Sequence, residues 1–393
     1  MIALAESSTS LSTAERPVHI LTITPFYPSR IDDARGCFVS EPLPFLEELG
    51  FENTVIAVRS FYEGAVEPNG NVPPASWVRY FPLPSHLGLP TAGFFLFANL
   101  LSPVRRLVKR RRVDLIHAHS ALPCGHAAAL LSRELKIPFV VTVHGLDAYS
   151  TNQVTGYSGK LAKRMSQWVY RRARNVICVS EKVRSEVLQG AQAITTVIYN
   201  GVNPELFMPE VQKQKTILSV GNLISIKGHE HLIRAIATVQ QEHPDLICDI
   251  IGDGPEHGRL LELCSELKIS CQVQFLGRRS RAEVADAMQH CTIFALPSRY
   301  EALGCVYLEA MAAGKPIIGC IGQGIDEVVR HGIDGVLIPP EDPGALATSV
   351  SALLDDNRLA ESIGEAARNT ILQGFTLAHQ AQKLGQLYRE CIG

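Results

Sequence analysis

Short apolar runs alternate with longer amphipathic stretches along most of the chain. Runs at His19–Thr24, Thr54–Val58, Asp114–Ala118, Pro138–Val143, Asn175–Val179 and Thr196–Tyr199 read as strands. Between them, Val39–Leu49, Ala121–Leu135, Ser158–Arg172 and Glu181–Leu188 read as helices. The alternation then restarts. Strands are predicted at Thr216–Val220, Leu246–Ile251, Gln272–Phe275, Thr292–Leu296, Pro316–Ile318 and Gly335–Ile338. Helices are predicted at Gly228–Gln241, Gly258–Leu267, Ala282–His290, Val306–Ala313, Glu327–His331, Pro343–Leu354, Arg358–Gln373 and, in the tail, Ala378–Cys391. Strands alternating with helices imply an α/β chain with two doubly wound parallel sheets. The turn-rich Asn200-Gly-Val-Asn-Pro204 separates the two series. The predicted organisation is a disordered lead-in at 1–16, a first domain at 17–199, a linker at 200–213, a second domain at 214–374 and a closing helix at 375–393.

Length and composition fit this division. A chain of 393 residues exceeds one ordinary core and suits two domains. A net charge of −2 gives no electrostatic support for binding nucleic acid. The ten cysteines form no C-x-x-C pair, which argues for reduced thiols in a cytoplasmic protein. The first residues lack the basic and apolar segments of a secretory signal. His117 and His119 alternate on one strand face, but no carboxylate or cysteine completes a ligand set nearby, so no metal site is expected.

The densest chemistry lies between Ser298 and Pro316. Glu301 and Glu309 stand eight positions apart, with Gly304 between them at a helix start. A strand feeding a glycine turn and a helix leaves amides free for a phosphate, here those of Leu303, Gly304 and Cys305. Glu309, one turn further in, suits sugar hydroxyls, because a carboxylate only accepts hydrogen bonds. Lys227, in the loop after the first strand of the second series, suits a diphosphate. Gly221 and Gly254 mark turns at strand ends, where ligands of such sheets bind.

The segment from Glu301 through Glu309-Ala-Met-Ala-Ala-Gly-Lys-Pro316 resembles the signature of family 4 glycosyltransferases. The resemblance extends over nearly the whole chain. It implies the GT-B fold, with two Rossmann-like domains facing a cleft, and a last helix that returns to the first domain. It also implies a retaining enzyme that moves a sugar from a nucleotide-diphosphate sugar to a hydroxyl of a glycan, lipid-linked or small-molecule acceptor, without cofactor or metal. Residue by residue, it assigns catalytic roles to His144, Glu301 and Lys227. Donor contacts are implied for Gly36, Gly221, Asn222, Lys227, Gly254, Arg278, Leu303, Gly304, Cys305 and Glu309. His119 and Asp147 fall on the acceptor side. In two places the chain departs from the pattern. Asn222 stands where an arginine is usual, with Arg278, Arg279 and Arg299 as compensating cations, and Arg35-Gly36 replaces a glycine pair. The stretch around Arg35 resembles a subgroup linked to teichuronic-acid and exopolysaccharide synthesis. A sugar-nucleotide epimerase, a phosphorylase or a non-catalytic nucleotide-sugar-binding protein are the alternatives.

Residues 89–112 join an apolar stretch, Leu89–Leu101, to six basic residues between Arg105 and Arg112. The stretch is too short to span a bilayer. It fits either contact with the anionic inner face of the plasma membrane or a domain helix with a solvated basic end.

Overall fold

The strand-forming runs pair into two sheets, and every pairing in both is parallel. A computed structural model describes residues 16–64, 67–83, 88–145, 156–210 and 215–393. The first lobe contains β1 (Val18–Thr24), β2 (Phe51–Ser60), β3 (Ala75–Tyr80), β4 (Leu115–His119), β5 (Phe139–Val143), β6 (Asn175–Cys178) and β7 (Thr195–Val197), in the order β3-β2-β1-β4-β5-β6-β7. The second contains β8 (Thr216–Val220), β9 (Ile247–Ile251), β10 (Val273–Gly277), β11 (Ile293–Ala295), β12 (Ile317–Cys320) and β13 (Val336–Ile338), in the order β10-β9-β8-β11-β12-β13. Each order reverses once, beside β1 and beside β8. Ligands of such sheets bind at that switch point, beyond the carboxyl ends of the strands.

Helices cover both faces. Among the described residues of the first lobe they are α1 (Cys37–Ser40), α2 (Pro42–Glu48), α3 (Gly88–Arg110), α4 (His126–Leu135), α5 (Gly156–Tyr170) and α6 (Glu181–Leu188). In the second they are α7 (His229–Val239), α8 (His257–Glu266), α9 (Arg281–His290), α10 (Cys305–Ala312), α11 (Pro343–Asp355) and α12 (Asn357–Gly374). The last helix, α13 (Leu377–Ile392), packs on the first lobe. Ala381, Leu384 and Tyr388 join the apolar cluster of Ile20, Leu46 and Val140. A second cluster runs from Leu96 and Ile116 of the first lobe to Leu303 and Tyr307 of the second, so the lobes share apolar surface.

Some elements differ from the sequence expectation. Glu327–His331 is not a helix. A single tight turn at Gly324–Glu327 ends there, and the chain folds back through a bridge between His331 and Gly335. The Asp334 carboxylate holds that fold by accepting from the Arg330 N–H at 2.6 Å and its Nε at 2.7 Å. The run Ala121–Leu135 is interrupted at Leu122, whose backbone is extended, and α4 begins at His126. Val39–Leu49 divides at Pro42, which starts α2 at the position where a missing N–H costs nothing. Residues 89–110 form α3, with Leu96, Leu100 and Val104 on its buried face.

Candidate active site

An open cleft of about 300 Å³ lies between the two lobes. Its wall takes Phe38, His144, Val179 and Asn200 from the first lobe and its connection. From the second it takes Gly221, Asn222, Lys227 and the run from Glu301 to Val306. The cleft therefore unites His144, Gly221, Asn222, Lys227, Glu301, Leu303, Gly304 and Cys305, residues drawn from three separate strand-end loops.

The second-lobe wall is a helix start. Gly304 precedes α10 at φ 81°, a left-handed conformation that favours glycine. A β-carbon there would stand 2.5 Å from the Tyr307 ring. Leu303 to Val306 line the cleft, so the start of α10 lies at its wall, and a helix's first amides have no carbonyl of their own helix to bond. Lys227 ends a single turn at Ser225–Lys227, and its ammonium pairs with the Glu301 carboxylate. Both side chains are mostly buried, at 13% and 11% exposure. The Glu301 N–H donates to Gln323 Oε1 at 3.0 Å, which fixes the backbone where the carboxylate leaves it.

The first-lobe wall is built on imidazoles. His144 follows β5 and packs against Phe38, with ring centroids 4.6 Å apart. Its Nε2 lies 2.9 Å from His119 Nδ1, and the two rings stack within 12°. His117 lies next in the row, with Nδ1 2.7 Å from the Tyr388 hydroxyl and Nε2 2.7 Å from Thr142 Oγ1. Burial pushes His117 and His144 down to about 3, and holds His119 well below its ordinary value. All three rings are therefore neutral near pH 7. In the His119–His144 contact one nitrogen donates and the other accepts.

Other expected residues lie off this wall. His119 sits behind His144, on a small inner cavity shared with His117, Gln380 and Tyr388. Gly36, at φ 76°, packs against the backbone of Phe26 and Tyr27. Gly254 packs on the Leu223 carbonyl, which a β-carbon would approach to 2.4 Å. Arg278 is two-thirds exposed and faces Asp32 of the first lobe at 3.4 Å. Arg279 pairs with Glu283, and Arg299 with Glu341. Asp147 lies outside the described residues. Glu309 is 3% exposed and not part of the cleft wall. Its Oε1 accepts from Arg281 Nη1, while Oε2 is buried with no hydrogen-bond partner. Burial raises its pKa, and Arg281 opposes the rise.

Sequence reasoning missed Phe38, Asn200 and Arg281. Asn200 Nδ2 donates to Cys305 Sγ at 3.3 Å, and Gln380 Nε2 donates to Asn200 Oδ1 at 3.4 Å, so this residue ties α10 to α13. Its only sequence signal was a turn. Among the described residues, no group of three or more His, Cys, Asp or Glu could hold a metal ion.

The arrangement can hold an anion at the start of α10, set a cation beside it, and present a neutral imidazole from the facing lobe. Comparison with known proteins identifies the lineage. The profile of the "Glycosyl transferases group 1" family matches residues 207–370, and that of "Glycosyltransferase Family 4" matches residues 43–206. An uncharacterized glycosyltransferase of Methanocaldococcus jannaschii is 32% identical over 275 residues, covering 70% of this chain and 74% of the relative. The chain belongs to the group 1, family 4 glycosyltransferases. This glycosyltransferase is also 27% identical to TuaC of Bacillus subtilis, assigned by name to teichuronic acid biosynthesis, over 94% of this chain and 98% of that one. Its fold is GT-B. The structure of HepE from Anabaena in complex with UDP and glucose superposes with a TM-score of 0.75 at 21% identity, covering 95% of this chain and all of the other.

Proposed function

We propose that this enzyme is a retaining glycosyltransferase that takes a sugar from a nucleotide-diphosphate sugar and transfers it to a hydroxyl of a glycan, lipid-linked or small-molecule acceptor. The observation that carries the reading is the meeting of Lys227, Glu301 and the α10 amino end with His144 in one cleft between lobes. A UDP-bound structural neighbour and a polysaccharide-synthesis relative lend it support.

In this reading the diphosphate lies on the amides of Leu303, Gly304 and Cys305. Lys227 spends one of its three N–H donors on Glu301 and offers the others to the phosphates. As the glycosidic bond breaks, negative charge gathers on the leaving diphosphate, where these donors stabilise it. They supply the positive charge opposite the phosphates, so the reaction is proposed to run without a divalent ion or cofactor. Asn222 adds a neutral donor where the family's arginine would add charge. His144, neutral and hydrogen-bonded to His119, holds the donor sugar from the first lobe. Glu309 receives the ribose hydroxyls. Among the described residues no first-lobe carboxylate lines the cleft wall, and Glu301 is tied to Lys227. A front-face substitution therefore fits, in which the leaving phosphate takes the acceptor's proton.

Nucleotide release measured across UDP, GDP and ADP sugars, with EDTA present, tests the reading. Release from one donor class is expected. Saturable binding without release would instead mark a nucleotide-sugar-binding protein. An α-linked product from an α-linked donor, read by NMR, tests retention.

No described helix is long and apolar enough to cross a membrane. We place the enzyme in the cytoplasm, touching the inner face of the plasma membrane through α3. Leu89 and Phe94 are exposed on that helix, as are Arg106, Lys109 and Arg110. Co-sedimentation with vesicles containing anionic lipid is the expected result, and it should weaken in high salt.

A further inference from the structure

The carboxylate assigned above to the donor ribose is sealed. Glu309 stands off the cleft wall, and its Oε1 is taken by the Arg281 guanidinium. Arg281 opens α9 of the second lobe, but its remaining nitrogens reach the first. Its Nε donates to Glu41 Oε1 at 3.0 Å, and its Nη2 donates to Glu41 Oε2 at 3.4 Å. One guanidinium thus joins a carboxylate of each lobe. Its plane also approaches the Phe207 ring, 5.1 Å from the centroid. The seam continues outward along the same loop. The Arg281 N–H donates to Asp33 Oδ1 at 3.0 Å, and Arg278 Nη1 donates to Asp32 Oδ2 at 3.4 Å.

A ribose hydroxyl and a guanidinium are both donors, and here both would address Glu309. The carboxylate retains unmet accepting capacity, because Oε2 is buried without a partner. That atom has less than 1 Å² of accessible surface, so no ribose reaches it while the seam is shut. We propose that Arg281 is a gate on the donor ribose site, bolted by Glu41 of the opposite lobe, so that parting of the lobes along this seam and entry of the donor are one event. The proposal rests on the donor reading of Glu309. When Glu41 withdraws, the guanidinium loses its two-point hold and can carry its charge out into water. The ribose then takes its place on Glu309. Segment 30–41, which carries Asp32, Asp33 and Glu41, also contains Gly36 and α1 with the cleft-wall residue Phe38, so the gate and the first-lobe side of the cleft move together.

The gate lowers apparent affinity by the fraction of molecules in which it stands open. Calorimetry with UDP, GDP and ADP on the full chain tests it, using wild-type protein, Glu41→Gln and Arg281→Ala. The nucleotide that the wild type accepts is expected to bind both variants about tenfold tighter, which is the tax such a closed state imposes when about a tenth of molecules are open. The free variants are also expected to show a larger radius of gyration by small-angle scattering. Equal or weaker binding in the variants overturns the gate, and makes Arg281 a support for Glu309 instead. Should Arg281→Ala fail to fold, Glu41→Gln, which keeps the shape of a partly exposed side chain, decides alone. Wild-type protein that binds none of the three removes the donor reading and the gate with it. A wild type that binds, with variants that do not tighten, removes only the gate.

Discussion

Lys227 and Glu301 neutralise each other inside the cleft, so removing either leaves a charge in a mostly buried place. Lys227→Ala is expected to lower kcat by about a hundredfold, the scale of one lost charge-stabilising donor, with a smaller change in KM. Steady-state kinetics on the accepted donor would show it, and unchanged kcat would take the lysine out of the mechanism. Glu309→Ala is expected to behave differently, weakening donor binding and turnover together, because ribose contacts exist before and during transfer. Calorimetry beside kinetics separates the two patterns. The imidazole row gives a prediction about stability. His117 and His144 sit near 3 in the folded protein, against an ordinary value of 6.5. The unfolded chain therefore binds their protons first. The stability they permit is intact above pH 6.5 and drains away as pH falls toward 3. Urea midpoints measured from pH 7 to pH 5 should fall steeply in the wild type and less steeply in His117→Gln.

Gly304 shows how an element, rather than a side chain, makes the anion site. Gly304→Ala would push a β-carbon to 2.5 Å from the Tyr307 ring and force an L side chain into a left-handed backbone. A loss of about 1–3 kcal/mol is expected from the backbone alone. Activity should fall further than stability, since the α10 amides would turn from the cleft. Thermal melting and kinetics on the same sample compare the two losses. Such local devices were legible in sequence. Glu301, Gly304 and Glu309 lie within one strand–turn–helix unit, and Lys227 follows a strand of strong apolar character. A strand buried on both faces, such as β5, was also legible, because its run Phe139–Val143 is apolar but for Thr142. β3 was not, because this edge strand has no fully buried position and its residues keep no alternation. The helix expected at Glu327–His331 failed because Asp334, beyond it, captures the Arg330 backbone. Arg281, Glu41 and Asn200 were illegible for a different reason. Arg281 meets Glu41 across 240 positions and Asn200 meets Gln380 across 180, and no periodicity carries information over such spans.

At the scale of the whole molecule, catalysis by two lobes depends on how closely they meet, and Gly145 limits that distance where it faces Ala302. It follows His144 at φ 98°, and a β-carbon there would stand 2.1 Å from the Ala302 β-carbon of the other lobe. The lobes are also clamped farther out. Glu327 of the second lobe accepts from the Glu181 and Lys182 amides at the start of α6, each at 2.7 Å, and satisfies a helix end that would otherwise need water. With that clamp fixed, a β-carbon at Gly145 has nowhere to go except to wedge the lobes apart. Gly145→Ala is therefore expected to leave both lobes folded, to expand the molecule in small-angle scattering, and to lower transfer more than donor binding. Adding Ala302→Gly deletes the opposing methyl while leaving the left-handed backbone strain in place. If the wedge is the cause, the double variant should recover the compact radius and much of the transfer rate. If strain at φ 98° is the cause, it should recover neither, because removing Ala302's methyl does nothing for the Gly145 backbone.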